Sequence, residues 1–339
     1  MGQVNKNFWL VLAVIAGFLY VNYNIKLNSV TRSGLAMNTL ISITLESKNK
    51  SEVELNKILD EAFDYLKIFE AQVSLYDENS QVNKINKMAG IAPVEVSSDV
   101  IALALKSVEI NKLTHNIFNP LIGAVTKLWK INESASLAEL KAKLPEPASI
   151  DNALNFLDIN IISLDLDLNK IYLSKAGAVL DFSGIAKGYA SRRLADKFAA
   201  QGLERALINL GGNIQVIGSG WNIGIRDPLD KAKIAFKIKV NDTAVITSGN
   251  YERYKIIDGV KYSHFFDPRT GRPVRNNMLS ASLIIPDGAL ADALATSFMI
   301  MGSDEALKFL ENHKDLSAVL IIAEDANKFR VIERGKIFR

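Results

Sequence analysis

Three short stretches carry the residue types that acid–base and metal chemistry require. In segment 264–274, HFFDPRTGRPV, His264 is one of only three histidines in the chain. It stands just before Asp267-Pro268-Arg269-Thr270-Gly271, a turn by composition with proline at its second position. A strand leading into such a turn would hold His264 rigidly, and its imidazole can take a proton near neutral pH. A satisfied histidine beside a β-turn fits the same letters. In segment 291–297, ADALATS, Asp292 and Thr296 are four residues apart, so a helix projects a carboxylate and a hydroxyl from one face on successive turns. Two hard oxygens at that spacing suit Mg²⁺, which takes few protein ligands and completes its shell with water and phosphate. The plainer alternative is an acidic residue near a helix start and a threonine bonded to its own backbone. In segment 180–190, LDFSGIAKGYA, Asp181 closes an apolar run and Gly184, Lys187 and Gly188 follow. Strand, tight turn and helix start is the natural reading, and such a turn can approach an anionic ligand with its backbone. It is neither a GxGxxG fingerprint nor a P-loop, and taken alone it is read more simply as a strand-to-helix connection with a surface lysine. Segment 247–254, TSGNYERY, and a scattered set (Met37-Asn38-Thr39, Leu75-Tyr76-Asp77 with Ser80 and Asn86, and Ile117-Phe118-Asn119-Pro120) complete the candidates.

These residues need elements to hold them. Residues 40–45, rich in β-branched side chains, predict a strand. Ser51 and Glu54 form a capping box, and Leu55, Leu59, Ala62, Leu66 and Phe69 recur at helical spacing, so residues 52–72 predict a helix packed on that strand's sheet. A second helix, apolar nearly all round, is predicted over 98–113. Residues 120–150 read as short helices broken by the prolines of PEPA. A hairpin follows over 158–165 and 170–174, then a helix over 187–201. Strands are predicted at 205–209, 213–218, 221–226, 233–240, 254–258, 279–285, 317–323 and 328–333, with helices near 288–301 and 303–312. Helices and strands do not alternate strictly, so the fold class is α+β, with mixed or antiparallel sheets packed with helices.

The chain has 339 residues, 48% of them hydrophobic, enough for a sizeable core and against disorder as its main state. Lys plus Arg number 40 against 37 Asp plus Glu, a net charge of +3 with the signs interspersed, which excludes a phosphate-tracking surface for nucleic acid. The absence of cysteine excludes a disulfide, a thiolate metal site, a thiol nucleophile and a lipid-modified N-terminal cysteine. Near the N-terminus Lys6 precedes an apolar stretch of 14 residues, Phe8 to Val21. It is short for a span of about 20 and lies in the range of a signal-peptide core, with no clear small-x-small cleavage site after it. Residues 1–30 are therefore read as a signal anchor, in preference to a cleaved signal peptide or a buried helix. Residues 31–339 are read as the folded domain, with a lobe boundary placed near 130–150. This predicts localisation at the periplasmic, extracytoplasmic side of the inner membrane.

Taken together and in this order, the segments resemble the ApbE family of FAD:protein FMN transferases. The likeness runs from Met37 to about Gly302 through MNT, SLYDENSQVNKIN, IFNPLIGAVTKLW, LDFSGIAKGYA, INLGGNIQVIG, IRDP, TSGNYER, HFFDPRTGRPV and ADALATSFMIMG. No single piece decides it, and nine in one order do. The resemblance implies the ApbE-like flavin transferase fold and a Mg²⁺-dependent enzyme that splits FAD, its substrate, moves FMN to a threonine or serine hydroxyl of a partner flavoprotein and releases AMP. It assigns Met37 and Tyr76 to the flavin pocket, Ile117, Phe118, Asn119, Asp181, Lys187 and Phe266 to FAD contacts, and His264 to the catalytic base. Gly184, by its backbone oxygen, Asp292 and Thr296 are assigned to the metal. The implied acceptors are subunits of membrane electron-transfer flavoproteins.

Three positions depart from the family pattern: Asn119 stands where many members have aspartate, Asn38 where many have glycine, and Ala295 where some have an extra carboxylate. The last speaks against a two-metal site. Competing expectations are an FAD pyrophosphatase yielding FMN and AMP, a non-catalytic periplasmic FAD-binding protein, and an exported scaffold whose motifs are structural.

Overall fold

The computed structural model describes residues 27–131, 144–251, 254–257, 260–325 and 327–337. The stretch 8–21 expected to form the anchor, and most of the lobe boundary expected near 130–150, lie outside the described residues. Among the described residues no helix is long and apolar enough to cross a membrane.

The main sheet has eight strands, β1 Asn28–Ala36, β2 Thr39–Ser47, β3 Arg205–Leu210, β4 Asn213–Ile217, β5 Ala244–Gly249, β6 Met278–Ile285, β7 Ala318–Asp325 and β8 Lys328–Arg334. They lie side by side in that order, and every neighbouring pair is antiparallel. Four longer helices, α1 Glu52–Val73, α2 Ser98–Leu113, α3 Ala186–Ala200 and α4 Gly288–Asn312, are inserted between strands. Helix α1 lies on β1 and β2, α3 on β3 and β4, and α4 on β5 and β6. A hairpin, Trp221–Arg226 with Ile234–Val240, covers part of the opposite face. Burial on both faces explains why several strands read as unbroken apolar runs. In β7, Ala318, Leu320 and Ile322 pack on the α4 side, while Val319 and Ile321 pack with Ile225 of the hairpin.

The α+β class and nearly all predicted elements are present. Helix α1 opens with the predicted box: Ser51 Oγ accepts from the Glu54 amide and the Glu54 carboxylate accepts from the Ser51 amide. The donated hydrogen bonds from Ser51 hold the Glu54 carboxyl below its ordinary range. Four readings are corrected. Strand β1 was not foreseen, because its polar, half-buried sequence NSVTRSGLA carries no apolar alternation. Helix α2 is not apolar all round: Ala102, Glu109 and Lys112 are exposed, while Val100, Leu103, Ala104 and Ile110 are buried. The hairpin predicted from residue 158 has its first strand only at Ile162–Asp165, since Asp158 caps a 3₁₀ turn at Ile159–Ile161. The two helices expected on either side of residue 302 run as one, α4, with a kink at Gly302, whose φ of 77° lies in the region glycine tolerates.

Candidate active site

At one end of the sheet the β1–β2 turn, the β3–β4 turn and the last residues of β5 come together and meet the N-terminus of α3 and one face of α4. They enclose a cavity of about 230 Å³. Eleven of the twelve residues singled out above line it: Met37, Ile117, Phe118, Asn119, Asp181, Gly184, Lys187, His264, Phe266, Asp292 and Thr296.

Asp292, Thr296 and Ile300 follow one another at intervals of four and line the cavity as one stripe of α4. Asp292 is buried, and its Oδ2 accepts a 2.8 Å hydrogen bond from the Gly188 amide. Oδ1 has no protein donor among the described residues. That bond exists because α3 and α4 cross in backbone contact. A Cβ on Gly188 would stand 2.6 Å from Asp292 Cβ, and one on Gly288 would stand 2.5 Å from the Gly188 carbonyl oxygen. Gly188 thus serves the helix crossing. Thr296 does not bond back to its own helix; its neighbour Ser297 does, to Ala293 O at 2.7 Å. The Thr296 hydroxyl instead lies against Gly184, 3.5 Å from where a Cβ there would stand. Among the described residues no three His, Asp or Glu side chains form a metal cluster. A carboxylate oxygen, a hydroxyl and the adjacent backbone at Gly184 suit a hard cation that keeps much of its own water.

Lys187 lies in the first turn of α3 and makes no ion pair among the described residues, so its ammonium is available to an anion beside that helix start. Asp181 is buried, with Oδ1 accepting from the Ser183 amide at 2.8 Å. Its backbone is tied twice. The Asp181 amide donates to Pro120 O at 2.7 Å, and the Asn86 side chain both accepts from and donates to the backbone of Leu180, at 2.7 and 3.0 Å. Asn86, read from sequence as loop or core, is a clip between segments 94 residues apart.

The loop carrying Ile117, Phe118 and Asn119 is shaped by amides. Asn111 donates to Asn116 Oδ1 and to Phe118 O at 2.9 and 2.8 Å. Asn119 donates to Asn116 Oδ1 and to Leu157 O, both at 2.7 Å, and accepts from the Leu121 amide at 2.8 Å. Its side chain is therefore fully used within the protein, which gives the asparagine at this position a structural reason.

His264 follows the strand Val260–Ser263 and precedes the short strand Phe266–Asp267. The predicted turn is present: the Thr270 and Gly271 amides donate to Asp267 O at 3.1 and 2.8 Å. The Trp129 indole fixes it by donating to Gly271 O at 2.9 Å. Arg269, paired with Asp267 and Glu305, is held above its usual range chiefly by its hydrogen bonds to Asp267. The imidazole of His264 stands 4.0 Å, centroid to centroid, from the Phe265 ring.

Tyr76 is the exception. It does not line the cavity and is 63% exposed. Asn83 holds the turn by donating to the carbonyls of Leu75 and Asp77 at 2.8 and 2.7 Å, and the Tyr76 amide donates to Ser74 Oγ at 3.2 Å. Thr126, Gly211 and Asn213, which sequence reasoning did not single out, also line the cavity, as do Thr39, Thr247, Ser248 and Gly249 of the candidate segments. The signal was present, since all seven lie inside the quoted segments; what was absent was any reason to select among small polar residues. Met37 and Asn38 have φ of 51° and 56°, forming the tight β1–β2 turn, and the Met37 amide donates to Glu70 Oε2 at 2.7 Å.

A buried carboxylate with one oxygen to offer, a hydroxyl, an ammonium and an imidazole line one cavity, a set of groups suited to an anionic ligand and to acid–base chemistry. The sequence profile of the ApbE family matches residues 37–320, and the chain belongs to that family. An FAD:protein FMN transferase of Treponema pallidum (strain Nichols) is 30% identical over 334 residues, covering 93% of this chain and 90% of that protein. One of Klebsiella pneumoniae (strain 342) is 32% identical over 260 residues, covering 76% and 80%. Among solved structures, the flavin transferase ApbE of Vibrio cholerae superimposes with a TM-score of 0.79 at 25% identity, covering 91% of this chain and 98% of that one. An ApbE protein of Thermotoga maritima gives 0.78 at 27% identity, covering 91% and 97%.

Proposed function

We propose that this transferase moves the FMN half of FAD onto a threonine or serine hydroxyl of an acceptor flavoprotein and releases AMP. The observation that carries the reading is the convergence of His264, Lys187, Asp292 and Thr296 on one cavity in a chain of this family. In the reaction the acceptor oxygen forms a bond to the FMN phosphorus while the pyrophosphate bond to AMP breaks. AMP leaves with the bridging oxygen, and the hydroxyl proton passes to the His264 ring. Lys187 places a positive charge beside the phosphates, and Ile117, Phe118 and Phe266 give the flavin an apolar wall. Holding the acceptor against bound FAD supplies proximity. Asp292, Thr296 and the carbonyl of Gly184 would hold Mg²⁺, which when bound neutralises charge on the pyrophosphate.

The apolar stretch 8–21 supports placing the chain, by a signal anchor or after export, at the periplasmic side of the inner membrane, where subunits of membrane electron-transfer complexes would be its acceptors. The test uses the full chain with FAD, Mg²⁺ and such a subunit, and reads acceptor mass together with released AMP. The expected result is an acceptor heavier by one FMN unit, with transfer abolished by EDTA and by Asp292→Ala. AMP and free FMN without acceptor labelling would mean a pyrophosphatase, and intact bound FAD a binding protein.

A further inference from the structure

Among the described residues, the buried asparagines spend their amides on backbone carbonyls, with one exception. Asn83, Asn111 and Asn119 each donate to a main-chain oxygen at 2.7 or 2.8 Å. Asn213, only 3% exposed, has no hydrogen-bond partner for its Nδ2. An amide nitrogen buried in that state has given up its hydration for nothing in return, so such groups are rare and call for a reason. The position is firmly built. Asn213 opens β4 directly after Gly211 and Gly212, whose φ of 65° and 96° make the β3–β4 turn. Asn209 Oδ1 accepts from the Gly212 amide at 2.8 Å, and a Cβ on Gly211 would collide with the Thr39 side chain. In the sheet Asn213 pairs with Leu210 of β3 and Ile246 of β5. Ile214 and Val216 pack on the hairpin side, which turns Asn213 and Gln215 toward α3 and α4.

The helix crossing fixes the level of Asn213 in the site. Gln215 Oε1 would lie 3.1 Å from a Cβ on Gly288. One helical turn on from Gly288, about 6 Å, comes Asp292. Two residues back along β4 from Gln215, about 7 Å, comes Asn213. Both steps lead toward the cavity, and both residues line it. This groups the amide with Asp292 and with Lys187 at the start of α3, the helix that packs on β4. The χ2 of an asparagine is a broad, roughly two-fold torsion, so the amide can turn Nδ2 into the cavity at little cost. A donor at that level meets, in FAD, the pyrophosphate oxygens, which only accept. We propose that Asn213 is a substrate-binding residue whose Nδ2 donates to a non-bridging pyrophosphate oxygen of FAD. The protein leaves the donor unmatched because the ligand supplies the acceptor, and a hydrogen bond to a charged oxygen is of the stronger kind. This rests on the transferase reading above.

The test uses the full chain with Mg²⁺ and compares wild type with two variants of the same branching. Asn213→Leu removes the amide, and Asn213→Asp puts a negative charge in its place. Without FAD, Asn213→Leu is expected to melt at or above the wild-type temperature, since it deletes an unsatisfied buried group. FAD affinity, titrated by flavin fluorescence, is expected to fall at least tenfold in Asn213→Leu. It is expected to fall further in Asn213→Asp, where a carboxylate would face phosphate. The absorption spectrum of flavin bound to Asn213→Leu is expected to match that on wild type, because a bond to phosphate leaves the ring untouched. Affinity within twofold of wild type in Asn213→Leu overturns the proposal, as does an Asn213→Asp protein that binds FAD no worse than Asn213→Leu. A loss accompanied by a shifted flavin spectrum moves the amide to a ring carbonyl and overturns the phosphate assignment. A melting temperature well below wild type in FAD-free Asn213→Leu shows that the amide serves the fold, and overturns it too. If the wild type binds FAD, these failures touch Asn213 alone; if it binds none, the transferase reading fails and the assignment with it.

Discussion

Replacing Gly188 by alanine tests how the site is assembled, because the sign of its effect separates two accounts. In an isolated helix the change would stabilise by about 1 kcal/mol. Here the added Cβ would fall within contact distance of the Gly288 carbonyl oxygen, 2.8 Å from that carbonyl carbon and 2.6 Å from Asp292 Cβ. None of these is the far end of a flexible side chain, so α3 and α4 must separate, and overpacking of this kind costs about 3 kcal/mol at the upper end of its usual range. At about 2.1 cal/mol/K of unfolding entropy per residue, the net loss of about 2 kcal/mol corresponds in a chain of this length to a fall in Tm of roughly 3 °C. Separation also lengthens the 2.8 Å bond that orients Asp292, so FMN transfer is expected to fall at least about tenfold, the equivalent of 1.4 kcal/mol at the transition state. The control is Gly202→Ala. That glycine, with φ of +74°, has no heavy atom within 4 Å of its would-be Cβ. Only the left-handed backbone is penalised there, by about 1 kcal/mol. Differential scanning calorimetry and the acceptor-mass assay read both variants. A Gly188→Ala protein as stable as wild type, with unchanged transfer, would refute the close crossing as what positions Asp292.

Three further predictions follow from single residues. His264→Ala is expected to slow FMN transfer by about 10²–10⁴-fold while FAD affinity, titrated by flavin fluorescence, stays close to wild type; equal losses in both would make the histidine a binding group. Asn119→Asp places a carboxylate against two acceptors, Asn116 Oδ1 and Leu157 O, and denaturant unfolding should register a loss of about 1–3 kcal/mol, an unchanged midpoint refuting it. Because Glu54 is held below its ordinary 4.5 by hydrogen bonds from Ser51, its share of stability is present above that pH and is lost as pH falls through the folded-state value. The Tm gap between wild type and Glu54→Ala should therefore close on acidification, and a gap independent of pH would contradict the cap.

Much of the local structure was legible because local physics sets it. The Ser51–Glu54 box, the helical spacing of α1 and the proline-led turn at Asp267–Gly271 each depend on residues within a few positions of one another. The nine ordered segments, not any one of them, carried the family and most of the cavity lining. Sequence did not reveal β1, since an edge strand with one half-buried face needs no apolar alternation. The resemblance assigns Tyr76 to the flavin pocket; here it is exposed and does not line the cavity of about 230 Å³, on a turn held by Asn83.

What the sequence by itself determined is the inventory: a carboxylate and a hydroxyl four apart, an imidazole before a turn, a lysine at a helix start, and the family they belong to. Only the tertiary structure decided how they meet. Gly188 reads as a ligand-approaching turn until α3 and α4 are seen to cross on it, and nothing in the sequence says that the Asn119 amide, at the cavity wall, is bonded to Asn116, Leu121 and Leu157. Contacts between segments tens to hundreds of residues apart depend on packing and on which hydrogen bonds remain to be made, and neither has a period or a spacing along the chain.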